Sequence, residues 1–560
     1  DVRIGYNARA VYTGDGDWTN RTFNLFGDSN GTLDNDGTGA LVWAGPFSNT
    51  TTAGGARKLT LGGSNSGDND FQGILSDHPS NGSVLDLEKN DPGTWILSGN
   101  NTYTGVTTVS AGILQIKNND ALGTTAGNTI VNNTGILGLG GGVTTAEPIT
   151  IATGRMGAMT ATWGSNNMLI GAVTLTSNAD FRLGPGITTF SGGITSANNR
   201  SLGLNGRAIV NTTPITIGTG QLGFTSNSAA TEIHVAGNTW GKTLFNFGGC
   251  LKLGAANVLP AMTDVEFGWA AQSWSSGTLD LNGFDQTVAS IGIHSLSVGL
   301  GGDQNITGGG TLTVNLTSGT KTYEGRITDG NTPTSLVKMG GGLQILNNLS
   351  GTPNSYSGNT TVTGGTLRIR SVTLADACTV SISPGASLDL DFTGTDTVNA
   401  LFIGTTRMAA GVYGVSGINI PEITGTGTLT VTTGPVASFS TWIGGNFANG
   451  SVSVGKQGPT DDPDHDGLNN LVEYGLGKDP TVSSQPAGIL SGNVITYTKG
   501  ADAIANGDVS WVIETSATLA PGSWTSQVTH APRDATATIT FTLTPGGSAR
   551  NFVRLKVTQN

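Results

Sequence analysis

Charge is scarce in this sequence. Only 11% of its 560 residues are Asp, Glu, Lys or Arg, and the balance is acidic, with a net charge of −12. No run of Lys or Arg is present to follow a phosphate backbone, so no nucleic-acid partner is expected. Aromatic residues are also few, at 6%, and there are only 19 prolines. With so little Pro and charge and so many β-branched residues, the text reads as an ordered β protein rather than a disordered one. The 88 glycines show no Gly-X-Y period, which excludes collagen. No apolar stretch approaches the roughly 20 residues of a membrane helix, so no membrane insertion is expected. Cys250 and Cys378 are the only cysteines, 378 − 250 = 128 residues apart. In a stacked fold they would sit too many layers apart for a disulfide, and two separate buried thiols are expected. The five histidines, His78, His234, His294, His465 and His530, fall in no metal or triad spacing. The chain begins at Asp1 without Met or a leader-like apolar stretch. It is read as the mature form of an exported protein, extracellular or on the cell surface, whose signal peptide has been cleaved.

What the chain does have is alternation. Segments such as "KLTLGG" (Lys58–Gly63), "GTLDLNG" (Gly277–Gly283) and "GTLTVNL" (Gly310–Leu316) place apolar residues at every second position between Gly, Asn or Asp. There is also a long-range repeat. "TYTGVTTVSAGILQI" (Thr102–Ile116) aligns with "SYSGNTTVTGGTLRI" (Ser355–Ile369) at an offset of 253, matching Tyr103 to Tyr356 and Gly112 to Gly365. Upstream, "DFQGILSD" (Asp70–Asp77) aligns with "TYEGRITD" (Thr322–Asp329), and "TFSGGITS" (Thr189–Ser196) is a weaker third copy. Repetition of one small unit points to a stack. The fold class is therefore all-β: an elongated parallel β-solenoid over 1–435, a short Ca²⁺-binding linker over 436–485 and a small C-terminal β-sandwich over 486–560. At roughly 20 residues per turn the solenoid is expected to have about 20 turns. Val109, Ile113 or Leu114, and Ile116 are candidates for its core. The competing architecture is a string of separate sandwiches.

One motif carries chemistry. "DPDHDGLNNLVE" (Asp462–Glu473) fits D-x-D-x-D-G-x5-E. Asp462, Asp464 and Asp466 take loop positions 1, 3 and 5, Gly467 the sharp turn, Leu468 a backbone carbonyl at 7, Asn470 position 9, and Glu473 a bidentate carboxylate at 12. Hard oxygen ligands at this spacing suit Ca²⁺. Pro459 and Pro463 disfavour an entering helix, so only an exiting helix, about Leu468–Gly475, is expected. A structural Ca²⁺ at the linker is the reading favoured over a solvated acidic linker. Elsewhere no dense carboxylate cluster appears. Asp68, Asp70 and Asp77 read as turn residues, as do the Gly-rich "GGDQNITGGG" (Gly301–Gly310) and "GLGGG" (Gly138–Gly142). Trp511 and Trp524 read as sandwich core rather than sugar platforms.

"GTWILSGNNTYTGVTTVSAGILQI" (Gly93–Ile116) resembles the autotransporter-associated β-strand repeat, or passenger-associated transport repeat. That resemblance implies a β-helical passenger of a secreted or surface protein, often an adhesin. Autotransporters end in a membrane barrel, and nothing after Pro435 here reads as one. The layout of repeats, Asp-rich linker and small sandwich looks like exported proteins of the Verrucomicrobia and Planctomycetes type. The expectation is a non-enzymatic structural or adhesive rod that self-associates head-to-tail into filaments or contacts surface polysaccharide or the cell envelope. The alternatives are a β-helix polysaccharide lyase or hydrolase, and a carbohydrate-binding surface protein.

Overall fold

The computed structural model describes residues 1–560 except 51, 53, 158–165, 226–229, 269–275, 295–303, 349–353, 435–437, 448–451, 484–485, 533 and 544–551. The chain divides into two compact units. One holds 1–406 with 411–432, the other 407–410 with 433–560.

The first unit is a parallel β-solenoid of about 16 turns. On one face, Leu85–Lys89 lies parallel between Arg57–Gly62 and Thr107–Val109, and Thr129–Val131 and Ile149–Ile151 continue the ladder. On another, Thr94–Leu97, Ile113–Ile116 and Ile136–Leu139 stack in register. Alternation decides which side chains enter the core. Leu59 and Leu61 are buried while Lys58 and Thr60, which alternate with them, face outward. Val109, Leu114 and Ile116 are fully buried and Ile113 is not, so Leu114 is the core member of that pair. Each such aliphatic burial contributes roughly 1.5–3 kcal/mol. In-register stacking also lines up aromatics. Phe224, Phe245 and Phe267 are successive partners, with ring centroids 5.3 and 5.0 Å apart.

The turn count falls below the expected 20 because turns are longer than 20 residues. Leu87 pairs with Thr107, 20 residues on, but Leu85 pairs with Arg57, 28 residues back, and Leu388 with Ile423, 35 residues on. The extra residues lie in loops between faces. "GGDQNITGGG" is also not all turn: Gln304–Thr307 is a strand, while residues 301–303 lie outside those described, and "GLGGG" begins with the last two residues of the strand Ile136–Leu139. The thiols separate as well. Cys378 is buried, but Cys250 lies at an outward, half-buried strand position, so only one of them is a core group. At the last turn Thr428–Val431 pairs parallel with Thr395–Val398 on one side and antiparallel with Gly411–Tyr413 on the other.

The two sequence copies have matching interiors. The Tyr103 hydroxyl bonds Thr107 Oγ1 at 2.6 Å, and that of Tyr356 bonds Thr360 Oγ1 at 2.8 Å. Asp77 accepts from the amides of Leu85 and Thr104, and Asp329 from those of Thr334 and Ser357. Gly112 and Gly365 both sit at φ +62°, where a Cβ would lie 2.3 and 2.4 Å from the carbonyl oxygens of Gly93 and Gly342. Only glycine fits that corner. In both copies a buried lysine, Lys89 or Lys338, donates to three backbone carbonyls. Lys338 Nζ reaches those of Met339, Gly340 and Gly364 at 2.6, 2.8 and 3.1 Å, and Lys89 those of Asn90, Asp91 and Ala111. Burial pushes both ammonium groups down to about 8. Phe71, Phe190 and Tyr323, at equivalent places in the three "F/Y-x-G" segments, all point inward.

The second unit has two three-stranded antiparallel sheets. One orders Ile489–Ser491, Val494–Thr498 and Thr538–Thr542, the other Thr525–His530, Val509–Ser516 and Phe552–Gln559. Among the described residues, three α-helices accompany them, α1 (Phe439–Asn446), α2 (Asn470–Leu476) and α3 (Ala501–Asn506), with a short 3-10 helix at Val454–Lys456. Phe439, Ile443, Leu471 and Tyr474 of α1 and α2 share one core with Tyr497, Trp511, Ile539 and Val557 of the sheets. The segment read as a linker is thus packed into the same compact unit as the sandwich.

Candidate metal centre

The Asp-rich loop is held in place by α2. That helix starts where the side chain of Asn469 accepts from the Val472 amide, and stops at Gly477 in the left-handed region. Gly475 lets it lie close on the sheet, since a Cβ there would come within 2.9 Å of Val557. The Trp511 indole donates to the Gly475 carbonyl at 2.8 Å, and the Tyr474 hydroxyl to Asp508 at 2.9 Å. Glu473 is thereby fixed with its carboxylate fully buried. The helix covers Asn470–Leu476 rather than starting at Leu468, and no helix is assigned between Gly458 and Asn469.

The loop folds around its own carboxylates. Gly467, at φ +92°, donates its amide to Asp462 Oδ2 at 3.0 Å, and Leu468 donates to Asp466 Oδ1 at 2.8 Å. Carboxylate oxygens of Asp462, Asp464 and Asp466 lie within 4.8 Å of one another. What remains is unsatisfied. Asp462 Oδ1, Asp464 Oδ2, Asp466 Oδ2 and both oxygens of Glu473 are buried without a hydrogen-bond partner. Asn470 is also buried. Its Nδ2 donates to the Gly458 carbonyl at 2.9 Å, anchoring the incoming chain, and its Oδ1 has no partner. Burying anionic oxygens with neither donors nor counter-charge is costly. The electrostatics register that cost. Burial, then the charges of Asp464, Asp466 and Asp462, pushes the Glu473 carboxyl up to about 8. Asp464 is also raised, by burial and then by Asp466. The donor set is hard oxygen throughout, which suits a hard cation rather than a soft metal.

Other sequence candidates are dispersed. Asp77 is a loop acceptor, whereas Asp70, read as a turn residue, lies in the paired strand Asn69–Phe71 and accepts from the Ser98 hydroxyl at 2.7 Å. Trp511 is core, whereas Trp524 is half-buried with the Arg554 guanidinium 4.2 Å over its ring. Among the described residues, the three aspartates are the one group of three or more potential metal ligands. Several buried charged groups escaped the sequence reading, among them Lys89, Lys338 and Glu147. Glu147 accepts from the Thr129 hydroxyl at 3.2 Å, leaves Oε2 unpartnered, and is pushed by burial up to about 7. An inward-pointing charged residue gives no periodic signal. The recurrence of Lys89 and Lys338 near the start of each copy was the available clue.

The passenger-associated-transport-repeat model matches residues 87–116 and 336–369. These segments hold Lys89, Tyr103 and Gly112 in one case and Lys338, Tyr356 and Gly365 in the other. The chain is 35% identical over 135 residues to the adhesin BmaC autotransporter of Brucella suis biovar 1 (strain 1330). That stretch is 24% of this chain and spans 4% of the relative's length. No solved structure matches the chain. The chain therefore carries two passenger-associated-transport repeats, each built into consecutive turns of a parallel β-solenoid.

Proposed function

We propose that this protein is a secreted or cell-surface adhesive scaffold and not an enzyme. The observation that carries the reading is the coincidence of the repeats with a continuous stacked core, in a chain similar over part of its length to an adhesin. The solenoid presents long outward rows of Thr, Asn and Ser on a rigid frame. Beads coated with the intact chain should attach to polysaccharide-coated or cell surfaces above an albumin-coated control. Attachment no better than the control contradicts the reading. Filament formation is the finer version. At the last turn the antiparallel strand Gly411–Tyr413 covers Thr428–Val431, so no parallel edge is offered on that face. Head-to-tail assembly would have to use other edges. Electron micrographs showing only dispersed particles at high concentration with Ca²⁺ would remove it.

The C-terminal unit binds one structural Ca²⁺ in this reading, through Asp462, Asp464, Asp466, the Leu468 carbonyl, Asn470 and Glu473. Its support is the set of buried, unpartnered oxygens. Calorimetric titration of wild type and Asp464→Ala should differ by one site, and equal stoichiometry rules the ligand set out. For a polysaccharide-cleaving alternative, the buried acids of the solenoid that burial raises include Glu147 and Asp396. Turnover of uronate glycans that Glu147→Gln abolishes would establish it.

A further inference from the structure

A groove of about 630 Å³ runs across the outer face of the solenoid over four consecutive parallel strands, Ala179–Phe190, Leu202–Val210, Gln221–Thr225 and Lys242–Asn246. Two outward rows form it. Asp180, Gly203, Gly223 and Leu244 are successive register partners in one, and Asn205, Thr225 and Asn246 in the other. We propose that this groove binds a neutral glycan chain, with Phe247 as the stacking platform and the side-chain amides as partners of sugar hydroxyls. The proposal deepens the adhesive reading and rests on it.

Four independent observations support the site. First, neither glycine of the floor is needed by the backbone. Gly203 and Gly223 are not in the left-handed region, and a Cβ on Gly223 would meet nothing closer than 3.8 Å. Glycine weakens a strand, so its use there leaves space rather than fold. Second, Phe247 sits at φ +48° before Gly248 at φ +79°, in the turn joining Lys242–Asn246 to Gly249–Leu253. Two such residues in tandem make the left-handed turn that prefers Asn-Gly. An aromatic there goes against turn preference, and Phe247 is 48% exposed at the groove. Third, Asn246 lines the groove with only 4% of its surface exposed, and its Oδ1 has no hydrogen-bond partner. Fourth, the chemistry is selective. Asn178, Asn205, Gln221 and Asn246 supply amides that both donate and accept, as hydroxyls do. Among the described lining residues there is one carboxylate, Asp180, and no Lys or Arg; the adjacent Arg182, register partner of Asn205, is engaged by Asp180 at 3.3 Å, and this balance of charge disfavours uronates and phosphates. Every strand under the groove is paired on both sides, so an extended peptide finds no free edge to join. Three strand spacings make the length roughly 15 Å, enough for about three sugar rings.

The test uses the intact chain and calorimetry with cellohexaose, laminarihexaose and mannohexaose as neutral probes and hexagalacturonate as the anionic one. At least one neutral probe should bind. Phe247→Asn, which gives the turn its preferred residue, should weaken that binding at least tenfold while leaving the melting temperature unchanged or raised. Gly223→Leu, which fills the floor from an unobstructed Cβ position, should do the same. Binding of none of the neutral probes, preference for hexagalacturonate, or equal affinity in both variants overturns the proposal. Bead attachment separates the two readings. Wild type and both variants attaching equally removes the groove but keeps adhesion, whereas wild type failing to attach removes adhesion itself.

Discussion

Glu473 shows how a residue can be legible by type and spacing yet not by energy. Its place at loop position 12 is plain from the sequence, because a rigid spacing of acids around one Gly has few other uses. That both its oxygens would be buried without donors depends on α2 being packed on the sheet, which spacing does not state. The consequence is a pH dependence. The folded carboxyl is raised from 4.5 to about 8, so between those values the folded chain keeps a proton that the unfolded chain has lost. Without Ca²⁺, the stability of this unit should therefore be fullest below pH 4.5 and fall as pH rises toward 8. Amide exchange across Leu471–Gly477 in the intact chain, followed with and without Ca²⁺, reads this directly: saturating Ca²⁺ should flatten the slope. Glu473→Gln should protect these amides when Ca²⁺ is absent and abolish the added protection when it is present. The buried lysines make a second prediction. Lys338→Met keeps the aliphatic stem but leaves three carbonyls without a donor, and should cost about 1–3 kcal/mol in urea unfolding.

The elements were readable wherever one face of a strand is buried and the other is wet. "KLTLGG" announces its inward Leu59 and Leu61 because a one-residue slip would turn both outward. Where both faces are covered the signal fails. Ile113–Ile116 reads "ILQI", and Leu114, Gln115 and Ile116 are all buried, so alternation alone left Ile113 and Leu114 unresolved. The difference is measurable. Leu114→Ala should cost roughly 2–5 kcal/mol, and Ile113→Ala distinctly less. Turn length was also hidden, since a loop such as the one from Gln72 to Val84 leaves the face of the solenoid without disturbing strand pairing. The corner glycines are a sharper case. Gly112→Ala and Gly365→Ala each combine a left-handed φ with a close carbonyl, and should destabilise local turns by more than about 1 kcal/mol. Because each turn of a solenoid contacts its neighbours alone, the added exchange should stay near the substituted turn.

For the whole molecule, composition set the outline: few charges, much Gly and Thr, and strand-length alternation leave little besides stacked β-structure. The two repeat copies made the stack legible, since Tyr103 and Tyr356, or Gly112 and Gly365, recur with the same hydrogen bonds and the same backbone angles. The 433–560 unit was harder to delimit. Its acidic, Pro-rich start reads as a linker, although Phe439, Ile443 and Tyr474 supply part of its core. Function is the least legible level, because the proposed adhesion needs no fixed constellation of side chains, only a surface with the right groups outward. The most direct test of that claim follows both outcomes on one polysaccharide surface. Beads carrying the intact chain are incubated on it in Ca²⁺ buffer while attached beads are counted and soluble sugar ends are assayed. The account predicts stable attachment with no release of new sugar ends. Steady release of cleaved product, with beads that do not hold, would contradict it.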